Sequence, residues 1–315
     1  MAGIAARPNE DRPMLGIVLM LLTYFFFSCV DVSAKWLALA GLPAFQLAFM
    51  RYFGHFMISM SLIARHGGSL SRFGTDHVGL VLLRASMLAG STILNFIAIR
   101  YLPLTLTSTI LFSAPIIICA LSGPFLGEKV GIWRWAAILV GFVGIFIAIR
   151  PFDASFHWAV FLSLGNALVF AGYSLITRKL AGTVSSDTMQ LYSGLVGSVA
   201  LAPLALFYWQ APGSLMHWAM LIGMGVFGWV SHEMLTRAHG YAPASVLTPF
   251  FYVFIIYLGI WSYFVFGTLP DRWTVLGALV IMASGLTIWL RERWLARHDP
   301  GRLVTRAPVE ANAHP

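Results

Sequence analysis

The chain has 315 residues, of which 59% are hydrophobic and 10% charged. A water-soluble domain carries about 25% charged residues, so this composition excludes a protein whose whole surface faces water and points to lipid as its second solvent. The net charge of +8 is scattered over short loops and the tail, as expected for positive charge held beside membrane spans, and is not read as affinity for nucleic acid.

At the start of the chain, the polar stretch 1–13 carries Asn9, Glu10 and Asp11 without a small-residue cleavage site. The apolar run after it is therefore expected to remain as the first permanent span. Ten uniformly apolar runs follow, at 14–36, 43–64, 78–98, 103–126, 131–150, 156–178, 188–208, 214–236, 244–266 and 273–295. Runs of roughly 20 residues match a bilayer core. They must be helical, because lipid satisfies no backbone donor or acceptor. The breaks between them are short and punctuated, as at Gly41-Leu42-Pro43, Gly127-Glu128-Lys129, Arg150-Pro151 and Leu269-Pro270-Asp271.

With the N-terminus placed inside, fourteen Lys and Arg residues fall on the inner side and four on the outer. This asymmetry predicts both termini in the cytoplasm. Sliding 98–145 along by 140 positions matches Tyr101 to Tyr241, Pro103 to Pro243, Gly127 to Gly267 and Trp133 to Trp273. A looser match joins 27–35 to 170–178. Each half holds five spans, an odd number, so the second half enters the membrane in the opposite sense. The expected fold is an all-α integral membrane protein of ten helices in two inverted five-helix repeats, an architecture that places a solute site between the halves. The expected divisions are 1–13 as an N-terminal segment, 14–150 and 156–295 as the repeats, and 296–315 as a polar, disordered tail.

The stretches "VDVSAKWLALAGLPAFQLAFMRY", "AIRYLPLTLTSTILFSAPIIICALSGPFLGEKVGIWRWAAILVGFVGI" and "YAPASVLTPF" with "GTLPDRWTVLGALVIMASGL" resemble the drug/metabolite transporter superfamily, in particular its bacterial EamA-type 5+5 members. The turn at Gly127-Glu128 is similar to the family's Gly-Glu signature, whereas the second half reads Gly267-Thr268. In style the chain resembles riboflavin importers, through "LNFIAIRYLP", "LSGPFLGEKVG" and "APASVLTPF", and next S-adenosylmethionine importers. The resemblance implies a multi-pass protein of the bacterial inner membrane that carries a small organic solute by alternating access. It implies no cofactor.

A charge in mid-bilayer costs about 2.5–3.5 kcal/mol on insertion scales, so each one needs a partner or a task. Asp31 and Lys35 lie one turn apart on the first span, and Arg51 and His55 one turn apart on the second. Asp31 and Arg51 come at similar depths, roughly 8 and 12 Å from one face. They are expected either to form an ion pair pinning the two spans or to line a solute cavity. His232 and Glu233 sit near the inner end of the eighth span, with Glu233 expected to pair with Arg84 or with Arg237, or to serve as an inner gate or proton site. Asn95 and Asn166 are amides within spans that glue helices or read a ring edge. Phe112, Tyr173 and Tyr252 are deep enough to stack on a flat ring. Pro115 and Pro249 interrupt the paired fourth and ninth spans, as broken helices beside a binding site do.

No metal site is expected: His232-Glu233 is followed four places on from the His by Thr236, and Cys29 and Cys119 are isolated. Direct use of ATP is not expected, since GxxxxGK[ST] does not occur, and GxSxG and CxxC are absent too. The expected partners are a small-molecule solute, lipid and protons. The alternatives kept are an exporter of amino acids or related metabolites, a membrane enzyme, and a scaffold with no solute path.

Overall fold

The computed structural model describes residues 12–65, 73–126, 132–154, 156–180, 183–242 and 244–298. The Gly127-Glu128 turn, Pro243 and the expected tail beyond 298 lie outside the described residues. Every regular element described is helical. In chain order these are α1 (Pro13–Leu39), α2 (Ala44–Arg65), α3 (Val78–Tyr101), α4 (Leu104–Leu111), α5 (Ala114–Leu126), α6 (Ile132–Ile149), α7 (Val160–Leu180), α8 (Ser186–Phe207), α9 (Leu215–Tyr241), α10 (Ala244–Leu247), a 3-10 turn (Thr248–Tyr252), α11 (Val253–Phe266) and α12 (Arg272–His298).

Among the described residues, eight segments are long and apolar enough to cross a bilayer, and Trp135–Ile149 is a shorter apolar helix. The 27 residues of α9 reach about 40 Å at 1.5 Å per residue. The expected fourth span is α4 followed by α5, broken at Phe112-Ser113, and the ninth is α10, the 3-10 turn and α11. Pro115 and Pro249 each stand just inside the segment after the break, where a proline's missing N–H costs little. The seventh element starts at Val160 rather than 156, after a turn in which Phe156 N–H bonds to Asp153 O at 3.0 Å.

Contacts between the halves come in exchanged pairs. α1 packs on α9 as α3 packs on α7, and α2 on α9 as α8 on α3. α5 meets α7 as α11 meets α1, while α2 with α8 and α6 with α12 pair across the centre. Two five-helix halves related by inversion have this pattern of neighbours. The crossings are tight because small residues let backbones meet: a Cβ on Gly277 of α12 would stand 2.6 Å from the Gly144 carbonyl of α6. Polar ties join the halves as well. Gln46 Nε2 donates to the Gln210 carbonyl at 2.8 Å while Gln210 N–H donates to Gln46 Oε1 at 3.0 Å. Trp261 Nε1 donates to Ser28 Oγ at 3.0 Å.

The core runs along α1, α2 and α3 and includes Leu37, Leu47, Phe96 and Phe112, each nearly or wholly buried. The outer faces of α6, α8 and α11 expose Leu139, Phe142, Phe146, Val199 and Phe264. Such a belt is costly in water and needs no cover in lipid.

Candidate functional site

Between the halves lies a cavity of about 180 Å³. Its apolar wall is aromatic, with Tyr24 and Phe27 of α1, Phe96 of α3, Phe170 of α7, Phe251 of the 3-10 turn and Phe254 of α11. Its polar groups are Asp31 of α1, Arg51 of α2, Ser91, Thr92 and Asn95 of α3, Asn166 and Tyr173 of α7, and His232 of α9. Ser91 and Asn95 are a turn apart, Thr92 lies beside them, and Leu88 and then Arg84 follow toward the start of α3. A recess of about 10 Å³, room for one water, continues past Arg51, Leu88, Tyr173 and His232 to Arg84, Gln190 and Ser193.

Asp31 is half-buried on the cavity wall, where its Oδ1 accepts a bond from Asn95 Nδ2 at 3.1 Å. No Lys, Arg or His nitrogen lies within 4.0 Å of its carboxylate among the described residues. Of the two expected arrangements, Asp31 and Arg51 thus share the cavity lining and form no direct ion pair. Lys35 does not join Asp31 either: its ammonium donates to the Leu102 carbonyl at 2.7 Å and lies over the Phe266 ring at 5.4 Å. The main-chain oxygen before Pro103 is free of helical duty, which gives the ammonium an acceptor that costs no second charge.

Arg51 is 9% exposed. Its Nη1 donates to Thr92 Oγ1 at 2.6 Å and to Tyr52 Oη at 3.4 Å, and the Tyr52 ring lies 5.2 Å from the guanidinium carbon. Tyr52 is held in turn by its hydroxyl on the Leu88 carbonyl at 2.9 Å. Its ring lies where a Cβ on Gly197 of α8 would stand.

Arg84 is the best-satisfied charge in the protein interior. Its Nε donates to Thr177 Oγ1 at 2.8 Å, Nη1 to Ser193 Oγ at 2.9 Å and to the Met189 carbonyl at 3.1 Å, and Nη2 to Tyr173 Oη at 2.8 Å. It joins α3 to α7 and α8, and it does not bond Glu233. Glu233 Oε1 instead accepts from Arg237 Nε at 2.7 Å on a more exposed side of α9, away from the cavity lining. The i,i+4 partner wins because it shares the helix and needs no second element to reach.

His232 borders both the cavity and the recess, edge-on to Phe27 at 5.1 Å and to His55 at 5.7 Å. His55 Nε2 is buried without a partner in the described structure. Asn166, 3% exposed, accepts from Ser91 Oγ at 2.6 Å. Tyr173 lines both the cavity and the recess and accepts from Arg84 Nη2. Phe112 and Tyr252 stand elsewhere: Phe112 is wholly buried and packs edge-on against Phe251 at 4.9 Å and Tyr252 at 5.3 Å. They plug the space between the break after α4 and the 3-10 turn, behind the cavity wall. Sequence reading passed over Tyr24, Phe27, Thr92 and Phe170. The run Ser91-Thr92 with Asn95 a turn later was the available signal for the polar face of α3.

The sequence profile of the EamA-like transporter family matches residues 14–150 and again 157–290. The chain is 31% identical to a riboflavin transporter of Vibrio cholerae serotype O1, over 87% of this chain and 93% of that protein. It is 30% identical to an S-adenosylmethionine uptake transporter of Rickettsia bellii, over 89% and 94%. It is 27% identical to the pseudopaline exporter CntI of Pseudomonas aeruginosa, over 87% and 95%. A chain of known crystal structure, 13% identical, superposes with a TM-score of 0.60 over 87% of this chain and 98% of that one, and shares the fold.

Proposed function

This chain belongs to the EamA-like transporter family, and from that premise we propose that it takes up a small ring-bearing metabolite across the bacterial inner membrane, with riboflavin the first cargo to test. The observation that carries the reading is the cavity between the exchanged halves, walled by aromatic rings and lined by the polar groups of Asp31, Ser91, Thr92 and Asn95. Rings offer a flat cargo stacking area, while the amides, hydroxyls and charges offer polar edges their hydrogen bonds. Residues 14–150 and 156–295 are the halves that rock about this site, exposing it to each face in turn. In this reading both termini face the cytoplasm, and protons entering through the Asp31 carboxyl drive uptake. A relative named as an S-adenosylmethionine uptake transporter supports the inward direction, and one named as a riboflavin transporter supports the choice of cargo.

A second reading, export of amino acids or related metabolites, is favoured by the presence of Asp31 and Arg51 on one wall. Opposite charges there suit the ammonium and carboxylate of a zwitterion, and the pseudopaline exporter is a relative of similar coverage.

The test is growth of a riboflavin auxotroph that lacks its own importer, at limiting riboflavin, with this chain expressed in its membrane. Rescue supports uptake. Absence of rescue with membrane expression confirmed removes riboflavin and directs the search to amino-acid efflux.

A further inference from the structure

We propose that the end of the cavity at Arg51 and Tyr173 is an oxyanion subsite, which receives a carboxylate or phosphate when cargo binds. The inference rests on the reading of this cavity as the cargo site and is independent of riboflavin.

The donors at this end exceed what the protein uses. Arg51 spends Nη1 on Thr92 and Tyr52, while its Nε and Nη2 make no hydrogen bond among the described residues. The side chain is 9% exposed and borders the cavity, so those N–H groups have little bulk water to turn to. Tyr173 accepts from Arg84 through its hydroxyl oxygen at 2.8 Å, which leaves its own proton to give. Tyr173 lines both cavity and recess, and the Arg84 guanidinium lies 4.6 Å from its ring.

The charge balance points the same way. Two guanidinium groups meet this space, Arg51 on the wall and Arg84 at the end of the recess. Asp31 is the one carboxylate among the described lining residues, and it already holds Asn95. Neither arginine has a carboxylate within 4.0 Å among the described residues. His55, His232 and Gln190 supply no negative charge. A neutral cargo would leave this excess positive charge uncompensated in a site of low dielectric, where an unpaired charge is costly. A planar oxyanion fits the free edge of a guanidinium by paired hydrogen bonds.

The test compares ring-matched probes on the purified wild-type chain in nanodiscs, by equilibrium binding in phosphate-free buffer. Riboflavin is set against riboflavin 5′-phosphate, and indole-3-ethanol against indole-3-acetate. Each anionic member is expected to bind about tenfold or more tightly than its neutral partner, the ratio that one charge-assisted pair supports. Arg51→Gln should bring the ratio close to one, and Arg51→Lys should restore part of it. The arms separate three cases in which the subsite stands. A preference in the flavin pair alone marks a phosphate subsite, one in the indole pair alone marks a carboxylate subsite, and stronger binding of the neutral member on adding inorganic phosphate marks a free co-bound anion. If neither flavin binds while the indole pair separates, the riboflavin reading falls and the oxyanion subsite stands. Equal binding of neutral and anionic members in both pairs, unchanged by added phosphate, overturns the proposal. Because that comparison uses the wild-type chain, a variant that fails to fold does not remove it.

Discussion

Gly54 of α2 and Gly225 of α9 meet backbone to backbone: a Cβ placed on either would stand 2.8 or 2.7 Å from the other's Cα. The contact lies one turn from Arg51 and two turns from His232, so it sets how closely those two side chains approach across the halves. Gly225→Val must push the helices apart, and overpacking of this kind costs about 1–3 kcal/mol. The expected result is a lower melting temperature together with loss of transport. Gly79→Ala is the control, since nothing lies within 4 Å of that position and the alanine should hold or slightly raise stability. Thermal unfolding of the detergent-solubilised variants and vesicle uptake check both.

Asp31→Asn removes a charge while keeping an oxygen that accepts the Asn95 N–H. Folding should change by less than about 1 kcal/mol, because the hydrogen bond survives. Transport should fall by about tenfold or more if the charge is used in the cycle. Unchanged flux in proteoliposomes, with and without a proton gradient, would assign Asp31 to holding α1 against α3 and nothing else.

Arg84→Gln breaks a guanidinium shared among α3, α7 and α8. Ser193 and Thr177 keep their bonds to the Met189 and Tyr173 carbonyls, so the loss is that of the guanidinium's own bonds, on the order of 3 kcal/mol. Arg84→Lys keeps the charge without the planar fork, so it should recover a minor part of that loss. Tyr173→Phe removes one of the four partners and should cost about 1 kcal/mol. The melting temperatures should therefore fall in the order Tyr173→Phe, Arg84→Lys, Arg84→Gln; any other order would show that the bonds do not carry the packing.

Asp271 caps α12, its Oδ1 accepting from the Trp273 and Thr274 N–H groups at 2.9 and 3.1 Å and its Oδ2 from Thr274 Oγ1 at 2.7 Å. Partial burial pushes its pKa up, but the Thr274 and Trp273 hydrogen bonds and the Arg150 guanidinium together outweigh it and hold the carboxyl below its ordinary range. The sign follows: this stabilisation is present above the ordinary carboxylate pKa and is lost as pH falls through the depressed one. Asp271→Ala should cost about 1 kcal/mol near neutrality. The gap in melting temperature between variant and wild type should close toward pH 3. A gap that widens in acid would refute the capping account.

Much of the frame was legible because lipid imposes a simple code. Long apolar runs must be helices, and Pro115 and Pro249 marked breaks that fall where α4 gives way to α5 and where the 3-10 turn begins. Asp31 and Arg51 stood out because charge in a span is costly. Their partners were not legible. When every face of a helix is apolar, no stripe says which face turns inward, so Lys35 could not be assigned to the Leu102 carbonyl in advance. The aromatics failed for a related reason. Phe251 and Tyr252 lie in a 3-10 turn of three residues per turn, which shifts which side chain meets the cavity. Phe251 reaches it, and Tyr252 turns behind it onto Phe112.

The four bonds of Arg84 also constrain how the chain is made. Its acceptors lie 89, 93, 105 and 109 positions later in the sequence. At ordinary rates of synthesis, about 5–20 residues per second, α3 is complete roughly 5–20 s before the last of them leaves the ribosome. Until α7 arrives with the first of them, an arginine in a membrane helix has none of these four partners, at a cost of about 2.5–3.5 kcal/mol if the helix sits centred in lipid. The nascent α3 must wait at the insertion machinery or lie shallow, with Arg84 reaching the headgroups, and settle to depth only when α7 and α8 arrive. The second half of the protein is thus needed to finish inserting the first.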